Sequence, residues 1–289
     1  MNRFSNAVTS AAPGPLQAAL ALRAQGRPRE ALDALPPPGE SSTDASILRG
    51  DLQFELDLIE QAAETYFAVT EEFPDHVYAQ VQLGLCLYRL KLWETAAHAF
   101  EIVLRFDPHR DDVRLQLAEC LLHLKRFEAA LACYDECWSE ASRRRALFGK
   151  AVALQFLRRL DEAEKLYERL LTIDPTAEEA LSNLIAMSME VFQLARVQTY
   201  SQRLLEINSH SIVALKGSAL AAIERLDYAA AAHYFHRALE LEPGIMHPSA
   251  EPGDCVEYRI SRQIFDHLEE TRRNLKFKTA LASNGAQPR

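Results

Sequence analysis

The residues best placed to do chemistry are three cysteines. Cys133 and Cys137 lie four apart, one helical turn, with Cys120 on the apolar stretch before them. A thiol or metal cluster is the sharp reading, but the spacing matches no zinc pattern. Free cysteine also serves as a small hydrophobe, and Cys137 falls at a place expected to be core. His233 and His236 are three apart and share one helical face, without a carboxylate-rich surround. The carboxylate pairs Glu71-Glu72 and Asp111-Asp112 fall at expected helix ends, where they suit helix N-termini or solvent. The chain carries no glycine-rich phosphate loop, no G-x-S-x-G and no H-E-x-x-H. The expectation is therefore a protein that is not an enzyme and has no catalytic residue, metal or cofactor.

Composition narrows the class further. Of 289 residues, 48% are hydrophobic, ample for a folded core. Ala, Leu, Arg and Glu are plentiful and glycine is scarce, which favours helix. The net charge of −9 and the dispersed basic residues argue against nucleic acid as a partner. No stretch approaches the length of a membrane span, and the first 15 residues lack the apolar run of a secretory signal. Five cysteines at irregular spacing fit a reducing compartment. These observations make a cytoplasmic location the expectation.

What positions such residues is a repeat. Ala62, Ala96, Ala130, Ala163, Val197 and Ala231 succeed one another at intervals of 34, 34, 33, 34 and 34 residues. A period in the thirties signals stacked supersecondary units. Frames beginning at Thr43, Val77, Asp111, Arg144, Glu178 and Ile212 bring like residues into register. The eighth place reads Gly50, Gly84, Ala118, Ala151, Ile185, Ala219, and the twentieth is the alanine row. The twenty-fourth reads Tyr66, Phe100, Tyr134, Tyr167, Ser201, Phe235, and the thirty-second Pro74, Pro108, Ser142, Pro175, Ser209, Pro243. Small residues let two helices cross closely, the aromatic ring fills the gap between units, and proline ends the second helix.

This pattern resembles the tetratricopeptide repeat (TPR), most closely over Leu83-Gly84…Leu87…Ala96…Phe100…Pro108 and Ala151…Leu154…Ala163…Tyr167…Pro175. The resemblance implies an all-α, right-handed α-solenoid of helix-turn-helix repeats. Six units are expected at 43–76, 77–110, 111–143, 144–177, 178–211 and 212–245. A degenerate unit over 12–42 comes after a disordered tail, 1–11. A loop over 246–253 leads to a capping helix over 254–282, with Val256, Ile260, Ile264 and Leu268 four apart, and a tail over 283–289. The 178–211 unit departs from the pattern, with Ile185, Val197 and Ser201 out of type and Val191-Phe192 in its turn. Local repacking, or a hinge or apolar contact, would account for it.

In such stacks the first helix of each pair lines the inner groove, as the resemblance implies. The groove residues are then Tyr78, Val81, Gln82, Leu85, Tyr88 and Arg89 in the second unit, and Leu115, Gln116 and Glu119 in the third. Phe148, Val152 and Phe156 come from the fourth and Asn183 from the fifth. The set is rich in apolar and aromatic side chains for a solvent-facing surface, which marks a recognition site. Gln82, Gln116 and Asn183 share the sixth place, where the family's asparagine ladders grip an extended backbone. The fifth place reads Ile47, Val81, Leu115, Phe148, Ser182 and Lys216, which lacks the family's clamp for a chaperone C-terminus. The reading is a scaffold or adaptor that holds an apolar or amphipathic segment of another protein. A secretion or assembly chaperone and the substrate-recruiting subunit of a separate enzyme are alternatives. Homo-oligomerisation through a repeat edge stays open.

Overall fold

A computed structural model describes residues 14–39 and 41–242. The expectations for residues 1–13, Pro243, the 246–253 loop and the 254–282 helix lie outside the described residues. The described chain is all-α: 14 helices and no strand. First helices α1 (Pro15–Ala24), α3 (Thr43–Glu55), α5 (Val77–Arg89), α7 (Asp111–His123), α9 (Glu140–Phe156), α11 (Glu178–Glu190) and α13 (Ile212–Glu224) alternate with second helices. These are α2 (Pro28–Asp33), α4 (Ile59–Glu72), α6 (Trp93–Phe106), α8 (Phe127–Asp135), α10 (Leu160–Ile173), α12 (Leu194–Ile207) and α14 (Tyr228–Leu241). The chain divides into two compact units, one through Arg159 and one from Leu160. Within each unit, every helix packs against its successor.

Each first helix is stopped by the same device. A residue in the left-handed region stands after its C-cap at Gly26, Asp57, Lys91, Lys125, Arg158, Phe192 and Leu226, with φ between 56° and 74°. The next residue's N–H reaches back to a carbonyl five residues earlier, as in Leu58 to Gln53 (2.8 Å), Leu92 to Leu87 (2.9 Å) and Gln193 to Ser188 (2.8 Å). This is the Schellman arrangement, which satisfies carbonyls at the helix end. Only one of these seven positions is glycine, so the turn is held by its hydrogen bonds and packing against an intrinsic preference.

The core is organised by the ring at the twenty-fourth place. Tyr66, Phe100 and Tyr167 are completely buried and Tyr134 nearly so. In the first unit the ring lies on the backbone of a glycine in a first helix. A Cβ at Gly84 would come 2.5 Å from Phe100 Cε1. A Cβ at Gly149, at the sixth place of the following repeat, would overlap Cζ and Oη of Tyr134. One ring thus occupies space shared between its own eighth place and the next repeat's sixth.

The 178–211 repeat inverts this arrangement. Ile185 and Ser201 are both completely buried, so a large residue at the eighth place stands opposite a small one at the twenty-fourth. A Cβ at Gly217 would overlap Ser201 Oγ and lie 3.1 Å from Ile185 Cγ2. The volume is conserved but a polar cost remains: the hydroxyls of Ser201 and Ser218 are buried without a hydrogen-bond partner. Val191 and Phe192 stand exposed, Phe192 at 72%, so the core repacks while the turn keeps its apolar residues in solvent.

The 111–143 repeat has serine in place of proline at its thirty-second place, and its helix ends shift accordingly. Helix α8 ends early at Asp135, and α9 starts at Glu140, four residues ahead of the frame at Arg144. Ser139 caps α9, its Oγ accepting from Ser142 N at 3.2 Å. Asp111 Oδ2 secures the loop by accepting from the N–H of Trp138 (2.9 Å) and of Ser139 (2.6 Å).

Two outcomes test this packing. Helix propensity alone makes Gly84→Ala stabilising by about 1 kcal/mol, but the ring contact should reverse the sign and cost about 1–3 kcal/mol. Urea denaturation checks this, and a raised midpoint would mean that Phe100 is not seated on the glycine. Lys91→Gly relieves the left-handed residue and should stabilise by about 0.5–1 kcal/mol in the same assay.

Candidate functional site

The first helices of the first unit carry most of the expected groove residues. Tyr78, Val81, Gln82, Leu85, Tyr88 and Arg89 lie on α5, Leu115, Gln116 and Glu119 on α7, and Phe148, Val152 and Phe156 on α9. Asn183 lies on α11 in the second unit. Tyr78 (44%), Phe156 (62%) and Arg89 are exposed, and Val81, Gln82, Leu85, Tyr88, Gln116, Glu119, Phe148 and Val152 are half-buried. Leu115 is a correction: at 2% exposure it belongs to the interior, where it joins the core cluster with Leu83, Val113 and Leu117.

The surface is less uniformly apolar than the sequence suggests, because ion pairs and phenols tie neighbouring repeats together along it. Asp51 Oδ1 accepts from Tyr66 Oη (2.5 Å) and Tyr78 Oη (2.8 Å), while Arg23 approaches Oδ2 at 3.3 Å. Arg89 pairs with Asp57 at 2.6 Å and lies over the Phe54 ring, 5.4 Å from its centroid. Arg145 pairs with Glu119 at 2.6 Å. Burial, then the neighbouring Asp51, pushes the Tyr78 phenol up to about 12. Burial, then Glu119, does the same for Tyr88, so both remain neutral donors at physiological pH.

A second regularity runs along the turn edge of the repeats. Residues at the thirteenth place stack on those at the seventeenth place of the preceding repeat. His123 lies parallel on Trp93 at 4.0 Å between ring centroids, and Phe156 on Phe127 at 4.9 Å. Tyr88 meets Trp93 edge-on at 4.9 Å, and its Oη is 3.4 Å from His123 Nε2. Sequence reading misses these pairs, although the offsets of 30 between Trp93 and His123 and 29 between Phe127 and Phe156 signal them.

The sixth-place amides separate by environment. Asn183 Nδ2 donates to Tyr167 Oη at 2.9 Å, which commits it to the ring of the preceding repeat. Gln82 and Gln116 are half-buried and make no hydrogen bond with any described residue. A glutamine amide offers both a donor and an acceptor.

The four cysteines among the described residues are structural in character. Burial pushes the thiols of Cys86 and Cys120 up to about 12 and those of Cys133 and Cys137 up to about 11, far from the thiolate form. Cys137, expected in the core, is half-buried, with its thiol 3.4 Å from the Cys133 carbonyl oxygen. Among the described residues, no group of His, Cys, Asp and Glu is arranged to hold a metal ion. No helix among them is long and apolar enough to cross a membrane.

Comparison with known proteins bears on the repeats. Three tetratricopeptide repeat family models match, over residues 47–110, 87–143 and 145–176. No curated protein matches the chain in sequence. Among solved structures, PilF of Pseudomonas aeruginosa is similar with a TM-score of 0.59 at 17% identity, covering 75% of this chain and 95% of its own. A tetratricopeptide repeat protein from Parabacteroides merdae gives 0.60 at 12% identity, covering 88% of this chain and 96% of its own. PilW, described as a widely conserved type IV pilus biogenesis factor, gives 0.60 at 16% identity, covering 75% of this chain and 96% of its own. At these identities the likeness speaks for the fold. Repeat models matched over residues 47–143 and 145–176, on a fold shared with tetratricopeptide repeat structures, identify the chain as a member of the tetratricopeptide repeat family.

Proposed function

We propose that the protein is an interaction scaffold that binds an apolar or amphipathic segment of another protein along the first helices of its first unit. The observation that carries this reading is a pair of amides without a hydrogen bond to any described residue, set among half-buried apolar side chains. Gln82 and Gln116 occupy the same place in consecutive repeats, beside Val81, Leu85 and Tyr88 on α5. A glutamine amide donates and accepts at once, as an extended backbone requires. The flanking rings supply contact area at small entropic cost, since a tyrosine or phenylalanine fixes few rotatable bonds.

The ion pairs along this surface favour a scaffold over a plain hydrophobic trough. Arg89–Asp57 and Arg145–Glu119 are exposed pairs of modest energy, and they hold the apolar residues in a fixed register. Leu115 is left out of the contact set. Val81, Gln82, Leu85, Gln116, Phe148, Val152 and Phe156 form it, with Tyr78, Tyr88, Arg89 and Glu119 at its polar margin. Asn183 contributes to its own repeat stack instead.

The test is affinity capture from the native cell, quantified by mass spectrometry, with the full chain and with Gln82→Ala/Gln116→Ala/Phe156→Ala. All three positions are at least partly exposed, so circular dichroism and the thermal midpoint should change little. Recovery of the specific partner should fall by about tenfold or more, since losing a small cluster of central contacts costs at least about 1.4 kcal/mol. Equal recovery with the folded variant would reject the surface.

A further inference from the structure

A second apolar gap lies between the second helices of the first unit. Helices α4 and α6 form the walls of a pocket of about 580 Å³, and Leu83, Leu87 and Leu90 of the α5 segment line its floor. Both walls carry a short residue in the lining: Ala63 on α4 and Ala99 on α6. Phe67 projects at the rim, 52% exposed.

The second unit provides an internal comparison at the same register. Place for place, Ala63, Phe67 and Ala99 correspond to Glu164, Glu168 and Tyr200. There Tyr200 is buried between α10 and α12, and its Oη lies 3.2 Å from Glu164 Oε1 and 2.9 Å from Glu168 Oε1. The same gap is therefore closed by a hydrogen-bonded tyrosine in one unit and left open, with an apolar lining, in the other.

The rim of the open gap is charged with one sign. Glu60, Glu64 and Glu71 lie along the α4 wall, all on its solvent side and without an ion pair among the described residues. No lysine or arginine lines the pocket, and His98 is the only basic-type side chain there. The wall is one helix of 14 residues, about 20 Å long. A wall of that length, with a hydrophobic floor at its foot and a row of carboxylates along it, fits a helix with an apolar face and lysine or arginine on its flank. The same carboxylates repel an anionic lipid surface.

We infer that the α4–α6 gap is a docking site for a cationic amphipathic helix of a partner protein, separate from the first-helix surface. The probe is a fluorescein-labelled synthetic peptide of about 16 residues, with leucines on one helical face and lysines flanking them. Its acidic counterpart has glutamate in place of lysine. Fluorescence anisotropy with the full chain should give saturable binding of the lysine peptide, weakened by salt, and none of the acidic one.

Two variants locate the binding. Ala63→Glu/Phe67→Glu/Ala99→Tyr copies the closed form of the second unit and should abolish it. Glu60→Lys/Glu64→Lys/Glu71→Lys changes only solvent-facing side chains and should weaken it about tenfold or more, so a misfolded first variant leaves the question decidable. Gln82→Ala/Gln116→Ala/Phe156→Ala should bind the peptide like the native chain, which separates this site from the first-helix surface. Absence of saturable binding, equal binding of the acidic peptide, or binding that survives the triple-lysine variant would overturn the inference. So would sedimentation velocity showing that the gap is covered by a second copy, through a dimer lost in that variant.

Discussion

A buried ring in five of the six repeats governs this fold. A hairpin of two helices cannot bury its apolar faces alone, so each repeat depends on its neighbour for a core. The ring at the twenty-fourth place makes that dependence steric. It needs a small residue beneath it in its own first helix and room at the sixth place of the next. Gly84 and Gly149 meet that need by losing their side chains altogether, at a cost in helix propensity that the buried aromatic surface offsets. In the 178–211 repeat Ile185 fills the space from the opposite side and Ser201 yields it.

The same economy of space sets the character of the two faces. On the first-helix side, side chains reach from one repeat to the next through charge and hydrogen bonds, as Arg89 does to Asp57 and Tyr78 to Asp51. Apolar residues such as Val81, Leu85 and Tyr88 lie between these links in half-buried positions, packed against the core on one side. On the second-helix side, spacing between helices depends on single residues. Tyr200 fills one gap and Ala99 leaves another. A repeat protein can vary such a position without disturbing the ring seats, since it lies outside them.

The helical hairpins were legible in the sequence because the constraint behind them is periodic and steric. Alanine and aromatic rows repeat every 33 or 34 residues and leave few arrangements to consider. Leu115 shows the limit of that reading. Its place was counted from a frame, but whether a fifth-place side chain faces solvent depends on small rotations between helices. The left-handed turns were illegible for a different reason: lysine, arginine, phenylalanine and leucine occupy positions where glycine would have announced them. The open gap between α4 and α6 was also hidden, because its lining, Ala63 and Ala99 included, comes from helices distant in sequence that are brought together only by folding.

The inverted packing around Ser201 has a consequence for how the array can be shortened. Excising residues 178–211 would set the repeat ending in Tyr167's hairpin directly against the one beginning at Ile212. Tyr167 would then face Gly217, much as Tyr134 faces Gly149 in the intact chain. The seam would be a matched one, ring on glycine, and Ser201, one of the two unsatisfied hydroxyls, would leave with the excised repeat. The most irregular module of the array is thus also the one whose flanking halves are already cut to fit each other.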